Sequence, residues 1–145
     1  SELKHIFSDW HPEIQEILES TKPGSLYKWG LHDRAPMNKW SKGRFSLLGD
    51  AAHPMLPFVA QGAAMAIEDG IVLASSLSSF DSVALGLNDY ENKRKYRTAK
   101  AQRTATRNAT IFHLSDFFAI FRNLVMKFFI KKIMDSFYKY DAISK

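Results

Sequence analysis

Asp50, Gly62 and the prolines between them, Pro54 and Pro57, are the residues of this chain best placed to do chemistry. A carboxylate that follows a glycine, as in Gly49-Asp50, can accept hydrogen bonds from a polyhydroxylated ligand that the glycine lets close to the backbone. The same aspartate can equally cap a local turn. Gly62 opens a run rich in Ala, Ile, Leu and Met, a composition that predicts a helix. A helix tip presents unpaired N–H groups and a partial positive charge, which suit an anion or a ring gaining negative charge. Pro54 and Pro57 stiffen the loop that joins the two features. One group for a hydroxylated chain and one for a moiety that becomes anionic fit a flavin better than a simple phosphate.

Such a loop needs elements to hold it. Phe45-Ser46-Leu47-Leu48 reads as a short buried strand that delivers Asp50 to its carboxyl end, the usual place for a ligand loop. The helix beyond the loop is expected from about Gln61 to Ser78. Upstream, Phe7, Trp10, Ile14, Ile17 and Leu18 have helical spacing over Phe7 to Ser20, with Pro12 tolerated in a first turn. Leu26, Tyr27, Trp29 and Leu31 predict a strand over Ser25 to Asp33. Turns are expected at Ala35 to Asn38 and Trp40 to Gly43. Downstream, Asp81 is a candidate cap for a long, mostly polar helix from Ser82 to about Thr110. An aromatic-rich helix follows from Ile111 to Phe137, its Phe side chains expected to pack in a core. Asp116, Arg122, Asn123 and Lys127 interrupt it well before the ~20 apolar residues of a membrane span. A helix lying on a membrane surface is the alternative.

The chain has 145 residues, 46% apolar and 24% charged, enough for one domain with a real core. It has no cysteine, which excludes disulfides and thiolate metal sites and agrees with a reducing compartment. Ser1 to Trp10 lacks the apolar core of a signal peptide, so a cytoplasmic location is expected. The net charge of +5 sits mainly in Lys93, Arg94, Lys95, Arg97, Lys100, Arg103 and Arg107, and again in Lys127, Lys131 and Lys132. We read the first group as a solvated helix face. Only Tyr90 and Tyr96 accompany it as stacking residues, so nucleic acid is not an expected partner. The five histidines show neither an i,i+4 pair nor metal-ligand spacing, so no metal is expected. Gly-x-Ser-x-Gly and Walker motifs are absent. Glu68 and Asp69 point about 100° apart on a helix and read as ion-pair or packing partners, not as an acid–base pair.

The segment from Gly43 to Asp69, GRFSLLGDAAHPMLPFVAQGAAMAIED, resembles the second FAD-binding motif of single-component flavoprotein monooxygenases, the salicylate and hydroxybenzoate hydroxylases above all. The likeness extends back through Trp10-His11-Pro12 and Leu31 to Trp40, and forward through Leu87 to Arg94, Arg97 and Tyr138 to Ala142. The resemblance implies that Gly49 and Asp50 bind the flavin, Asp50 through the ribityl chain. It implies that the backbone of Gly62, Ala63 and Ala64 faces the pyrimidine edge. Pro57 would lie near the reacting carbon of the flavin and Gln61 on the substrate side, which makes these two the candidate catalytic residues. His53 would lie near the nicotinamide and pyrophosphate region, or bond its own loop. The implied reaction uses NADH or NADPH to reduce FAD and transfers one oxygen atom from O2 to a small aromatic acid.

The seven glycines include no Gly-x-Gly pair, so the dinucleotide fingerprint of a complete relative is missing. Gly70 stands where relatives usually carry alanine, at ~1 kcal/mol of helix propensity. The expected fold is therefore α+β and mostly helical: the carboxyl-terminal portion of a Rossmann-like FAD-binding monooxygenase fold with one or two remnant strands. Residues 1–40 read as a remnant of the substrate domain, 41–80 as the second FAD-binding motif, and 81–145 as a carboxyl-terminal helical region. Expected partners are FAD, a small aromatic substrate, and either the missing amino-terminal half or a second copy of the chain. The competing reading is a non-enzymatic helical interaction module left by truncation or gene decay.

Overall fold

Glycine and proline set most of the boundaries. A computed structural model describes residues 2–143, save the side chains of residues 132 and 133, so Lys132 of the second basic group lies outside the described side chains. The chain divides into two compact units, Ser1–Leu31 and His32–Lys145.

In the first unit the expected helix over Phe7 to Ser20 forms only as α2 (Pro12–Ser20), and a separate short helix, α1 (Glu2–Ile6), precedes the expected range. Pro12 sets the start of α2, since proline is favoured at a helix's first position and disfavours a helical residue just before it. His11 is the N-cap, its Nδ1 accepting from the Glu13 amide at 3.4 Å. Residues 25–31 form no strand. Leu26, Tyr27, Trp29 and Leu31 are all exposed, and the only sheet among the described residues is formed elsewhere. Alternation alone does not make a strand when no neighbour supplies the hydrogen bonds.

The second unit begins with a hairpin. Strands β1 (Ser41–Lys42) and β2 (Phe45–Ser46) pair antiparallel around Gly43-Arg44, Ser41 opposite Ser46 and Lys42 opposite Phe45. Gly43 has φ +61°, as such a tight turn demands. The expected buried strand over Phe45 to Leu48 is thus only two residues long, and Phe45 is 82% exposed. The chain is mostly helical with a two-stranded sheet, consistent with the coarse expectation.

Three helices follow: α3 (Gly62–Ser78), α4 (Val83–Phe112) and α5 (Asp116–Tyr138). Ser82, not Asp81, is the N-cap of α4, and its side chain makes no capping bond. Helix α4 carries a buried stripe, Leu87, Tyr90, Glu91, Arg94, Thr98, Ala101, Gln102 and Ala105, at helical three- and four-residue intervals. Arg94 is fully buried and Arg97 nearly so, which corrects the reading of this basic run as a solvated face. Helices α3 and α4 approach closely at Gly86, where an added Cβ would sit 3.1 Å from both the Leu77 Cα and the Ser76 carbonyl oxygen. Gly86→Ala must therefore push the helices apart. We expect a loss of about 1–3 kcal/mol in urea unfolding, whereas the same change at Gly70, with open space around it, should not destabilise.

Two apolar clusters hold the unit. One joins Trp40, Ala52, Val72 and Tyr90, and the other joins Met65, Ala101 and Phe137. Phe137 is the one phenylalanine of the tail that the described residues bury. Phe117, Phe118, Phe121, Phe128 and Phe129 are each more than half exposed, which corrects the expectation of a Phe-rich core. The physical reason is that no other element among the described residues covers that face of α5. No helix among the described residues is long and apolar enough to cross a membrane. The α4–α5 elbow is clasped by Arg122, whose guanidinium donates to the carbonyls of Ile111, Phe112 and Leu114 at 3.3, 2.9 and 3.2 Å.

Candidate functional site

The segment between β2 and α3 is built from short turns, not regular structure. A 3₁₀ turn at Gly49–Ala51 carries Asp50, and a second at Pro57–Val59 precedes α3. Gly49 has φ +58°, and a Cβ added there would lie 3.2 Å from the Cβ of Ala66, so backbone and packing both demand glycine. Ala60 adopts the left-handed region at φ 52°, a conformation that costs a non-glycine residue about 1 kcal/mol or more.

What holds these turns is α4. Gln102 donates to the carbonyls of Arg34 and Pro54 at 3.2 and 2.9 Å, and Asn108 donates to that of Phe58 at 3.0 Å. Tyr90 donates to the Leu47 carbonyl at 3.2 Å, and Glu91 accepts from the Ser41 amide at 2.8 Å. Burial, reinforced by the nearby Asp69 charge, pushes the Tyr90 hydroxyl pKa up, so it remains a donor at ordinary pH. Arg34 donates to the Ala51 and Ala52 carbonyls.

Beneath the loop lies a buried polar network. Asp69 accepts from the Gly49 amide at 3.1 Å, from His53 Nε2 at 2.6 Å and from Arg94 Nε at 2.7 Å. Arg94 also pairs with Glu68 at 2.7 Å, and Glu68 receives both Nε and a terminal nitrogen of Arg97 at 2.6 Å. The Arg97 guanidinium stacks 3.8 Å from the Tyr140 ring centre and bonds the Phe137 carbonyl at 3.0 Å. Glu68 and Asp69 are thus the ion-pair partners their positions suggest. The His53 side chain bonds α3, not its own loop, and is fully buried.

Burial alone would raise the Asp69 pKa, but the bonds from His53, Arg94 and Gly49 outweigh it and hold the carboxyl below its ordinary range. Glu91 is held low in the same way, burial opposing it and the amides of Trp40 and Ser41 prevailing. For Arg94, burial works against the charge, and the Asp69 and Glu68 carboxylates more than restore it. A carboxylate with a depressed folded pKa stabilises the fold above its unfolded pKa, near 4, and that contribution is lost as pH falls through the folded value. Urea midpoints should therefore be flat near neutrality and drop below about pH 4. The drop should be smaller in Glu91→Gln, and an equal drop would mean that Glu91 does not contribute.

The loop and the tip of α3 enclose an open cleft of about 750 Å³. Gly49, Asp50, Pro57, Gln61, Gly62 and Ala63 all line it, with apolar walls from Leu48, Met55, Leu56 and Ala66. Of the site residues singled out from the sequence, Pro54, Ala64 and His53 do not line it. Asp50 is exposed, and Gln61 is buried at the N-cap of α3 with no capping side-chain bond. The first bond of α3 runs from the Met65 amide to the Gln61 carbonyl at 2.8 Å. The amides of Gly62, Ala63 and Ala64 find no partner among the described residues, and no acidic residue occupies the first turn. A Cβ added at Gly62 would meet only Met55 Cγ, at 4.0 Å, so the protein itself does not require glycine there. The bare amides, the nearby carboxylate and the space over Gly62 fit a flavin.

Sequence reasoning missed the α4 side chains that brace this cleft, Tyr90, Glu91, Arg94, Gln102 and Asn108. Their signal was the helical periodicity of α4, which places four of the five on one stripe.

The FAD binding domain family matches residues 2–105. The chain is 45% identical over 111 residues to 6-hydroxynicotinate 3-monooxygenase of Pseudomonas fluorescens, covering 74% of this chain and 28% of that protein. It is 34% identical over 139 residues to 3-hydroxybenzoate 6-hydroxylase of Klebsiella oxytoca, covering 95% and 34%. The crystal structure of Klebsiella pneumoniae HpxO complexed with FAD and uric acid superposes with a TM-score of 0.81 at 26% identity, over 94% of this chain and 37% of that one. The chain thus spans about a third of the length of these relatives. It belongs to the FAD-dependent aromatic monooxygenase family, in the branch that resembles salicylate hydroxylase, and FAD is the cofactor of that family.

Proposed function

We propose that this chain is the inner, flavin-contacting part of a monooxygenase that uses FAD and NADH or NADPH to hydroxylate a small aromatic acid. The observation that carries the reading is the single cleft lined by both Asp50 and the unpartnered amide tip of α3. The names of the relatives, which act on hydroxynicotinate and hydroxybenzoate, support an aromatic acid as substrate.

Bound FAD supplies the redox chemistry that places one atom of O2 on the ring. The chain's own residues supply the setting. Asp50 accepts hydrogen bonds from ribityl hydroxyls, and the amides of Gly62, Ala63 and Ala64, at the positive end of α3, stabilise negative charge on the pyrimidine edge. Pro57 and Gln61 border the reacting face, Pro57 as a rigid wall and Gln61 as a polar contact for substrate. Leu48, Met55 and Ala66 give the cleft apolar walls for the flavin to pack against. Turnover requires the remainder of a fold about three times as long, so the chain alone is expected to bind flavin without hydroxylating.

Titrating the chain with FAD and following flavin absorbance and fluorescence tests this directly. Saturable binding is expected, and its absence overturns the reading. A sharper variant is Gly62→Ala. Its Cβ meets no protein atom closer than 4.0 Å, so stability should hold. FAD binding should weaken by roughly tenfold or more, because the methyl intrudes where the flavin edge would lie. The bare Phe face of α5 favours a partner there as well, either the rest of the fold or a second copy, and light scattering of the purified chain separates the two.

A further inference from the structure

Asp69 does not line the cleft, yet it touches the backbone that presents Asp50. Its carboxylate is fully buried on α3, and a single oxygen, Oδ2, takes the Gly49 amide at 3.1 Å and His53 Nε2 at 2.6 Å. Gly49 immediately precedes Asp50, and the Gly49 carbonyl in turn accepts the amides of Ala52 and His53 at 2.8 and 2.9 Å. The 3₁₀ turn carrying Asp50 is therefore pinned on both sides to the same oxygen atom. The other oxygen, Oδ1, is held by Arg94 Nε at 2.7 Å, which fixes the carboxylate's own orientation.

We propose that Asp69 and His53 form a positioning pair that aims the Asp50 carboxylate at the flavin ribityl chain. This rests on the flavin reading of the cleft. With Gly49 in the left-handed region, this short 3₁₀ turn has no regular ladder to hold it, so its geometry depends on these bonds and on those from Arg34. His53 contributes a donor on a fully buried ring that cannot itself reach solvent or ligand. The pair acts through Asp50 and touches nothing in the cleft.

A double-mutant cycle on the full chain separates positioning from mere support, with FAD as the probe. His53→Leu removes the donor and leaves the Asp69–Arg94 pair to hold the fold. In the unsubstituted background it should weaken FAD binding roughly tenfold, the usual effect of losing one charge-assisted hydrogen bond. In the Asp50→Ala background it should change affinity by less than about twofold, because nothing is left to aim. His53→Gln, which keeps an N–H in reach of Oδ2, should restore most of the affinity. Equal losses in both backgrounds, or no rescue by Gln, overturn the proposal while leaving FAD binding itself intact. Should the unsubstituted chain bind no FAD, the flavin reading fails separately. The pair is then judged on hydrogen exchange of the Gly49 amide, where protection unchanged by Asp69→Asn overturns the pinning and its loss, with core amides still protected, upholds it.

Discussion

Arg94→Ala is expected to cost about 3–5 kcal/mol, the range for breaking a buried ion pair by removing one partner. The guanidinium is fully buried and bonded to two carboxylates, Asp69 at 2.7 Å and Glu68 at 2.7 Å. Its other contacts are to the Met65 carbonyl at 3.3 Å and the Tyr140 hydroxyl at 3.4 Å. Removing it leaves Asp69 without solvent and with only His53 and one amide as donors. The carboxyl must then take up a proton or distort the turn at Gly49, and a cavity opens between α3 and α4 as well. Against a total stability of ~5–15 kcal/mol, that loss brings the chain close to unfolding at ambient temperature. Urea unfolding followed by helical circular dichroism measures it. Arg94→Met combined with Asp69→Leu should lose much less than the two single changes added, since the pair is costly chiefly when half of it is left behind. A loss below about 1 kcal/mol for Arg94→Ala would show that the network is not what joins the helices.

The contrast between Arg94 and its neighbours explains how far the sequence can be read. In a run with Lys93, Lys95 and Lys100, nothing about residue type separates the buried Arg94 and nearly buried Arg97 from the more exposed lysines. Only the three- and four-residue intervals back to Leu87 and Tyr90 and on to Thr98 and Ala101 do so, and a fully charged member of an apolar stripe is easily discounted. The cleft was legible for the opposite reason. Gly49, the two prolines, Gly62 and the small residues after it are each constrained locally, so their types alone dictate turns, a stiff loop and a helix start. Phe45 and the stretch from Ser25 failed as buried strands because a strand is a relation between segments. A residue pattern cannot reveal whether a neighbour is present. The phenylalanines of α5 fail in the same way: their number signals burial, yet no element among the described residues covers them.

Asp50→Ala should weaken FAD binding by roughly tenfold to a hundredfold while leaving the fold unchanged. The first half of that statement follows from charge. A carboxylate that accepts two ribityl hydroxyls makes charge-assisted bonds worth about 1.5–3 kcal/mol, and alanine replaces neither. The second half follows from exposure. Asp50 faces the open cleft, and its side chain is not what holds the turn, which hangs from Gly49 and His53 instead. Its neighbours Ala51 and Ala52 are fixed through their carbonyls by Arg34, a contact that the substitution does not touch. Isothermal titration with FAD, beside urea midpoints for both chains, reads the two halves independently. Asp50→Asn offers a graded check, because the amide oxygen still accepts but carries no charge, so its affinity should fall between the other two. Undiminished FAD binding by Asp50→Ala would remove the ribityl contact from the site and leave the α3 tip as its only anchor. A fall in stability to match the loss of binding would instead make the aspartate a turn cap, the other role its place after Gly49 allows.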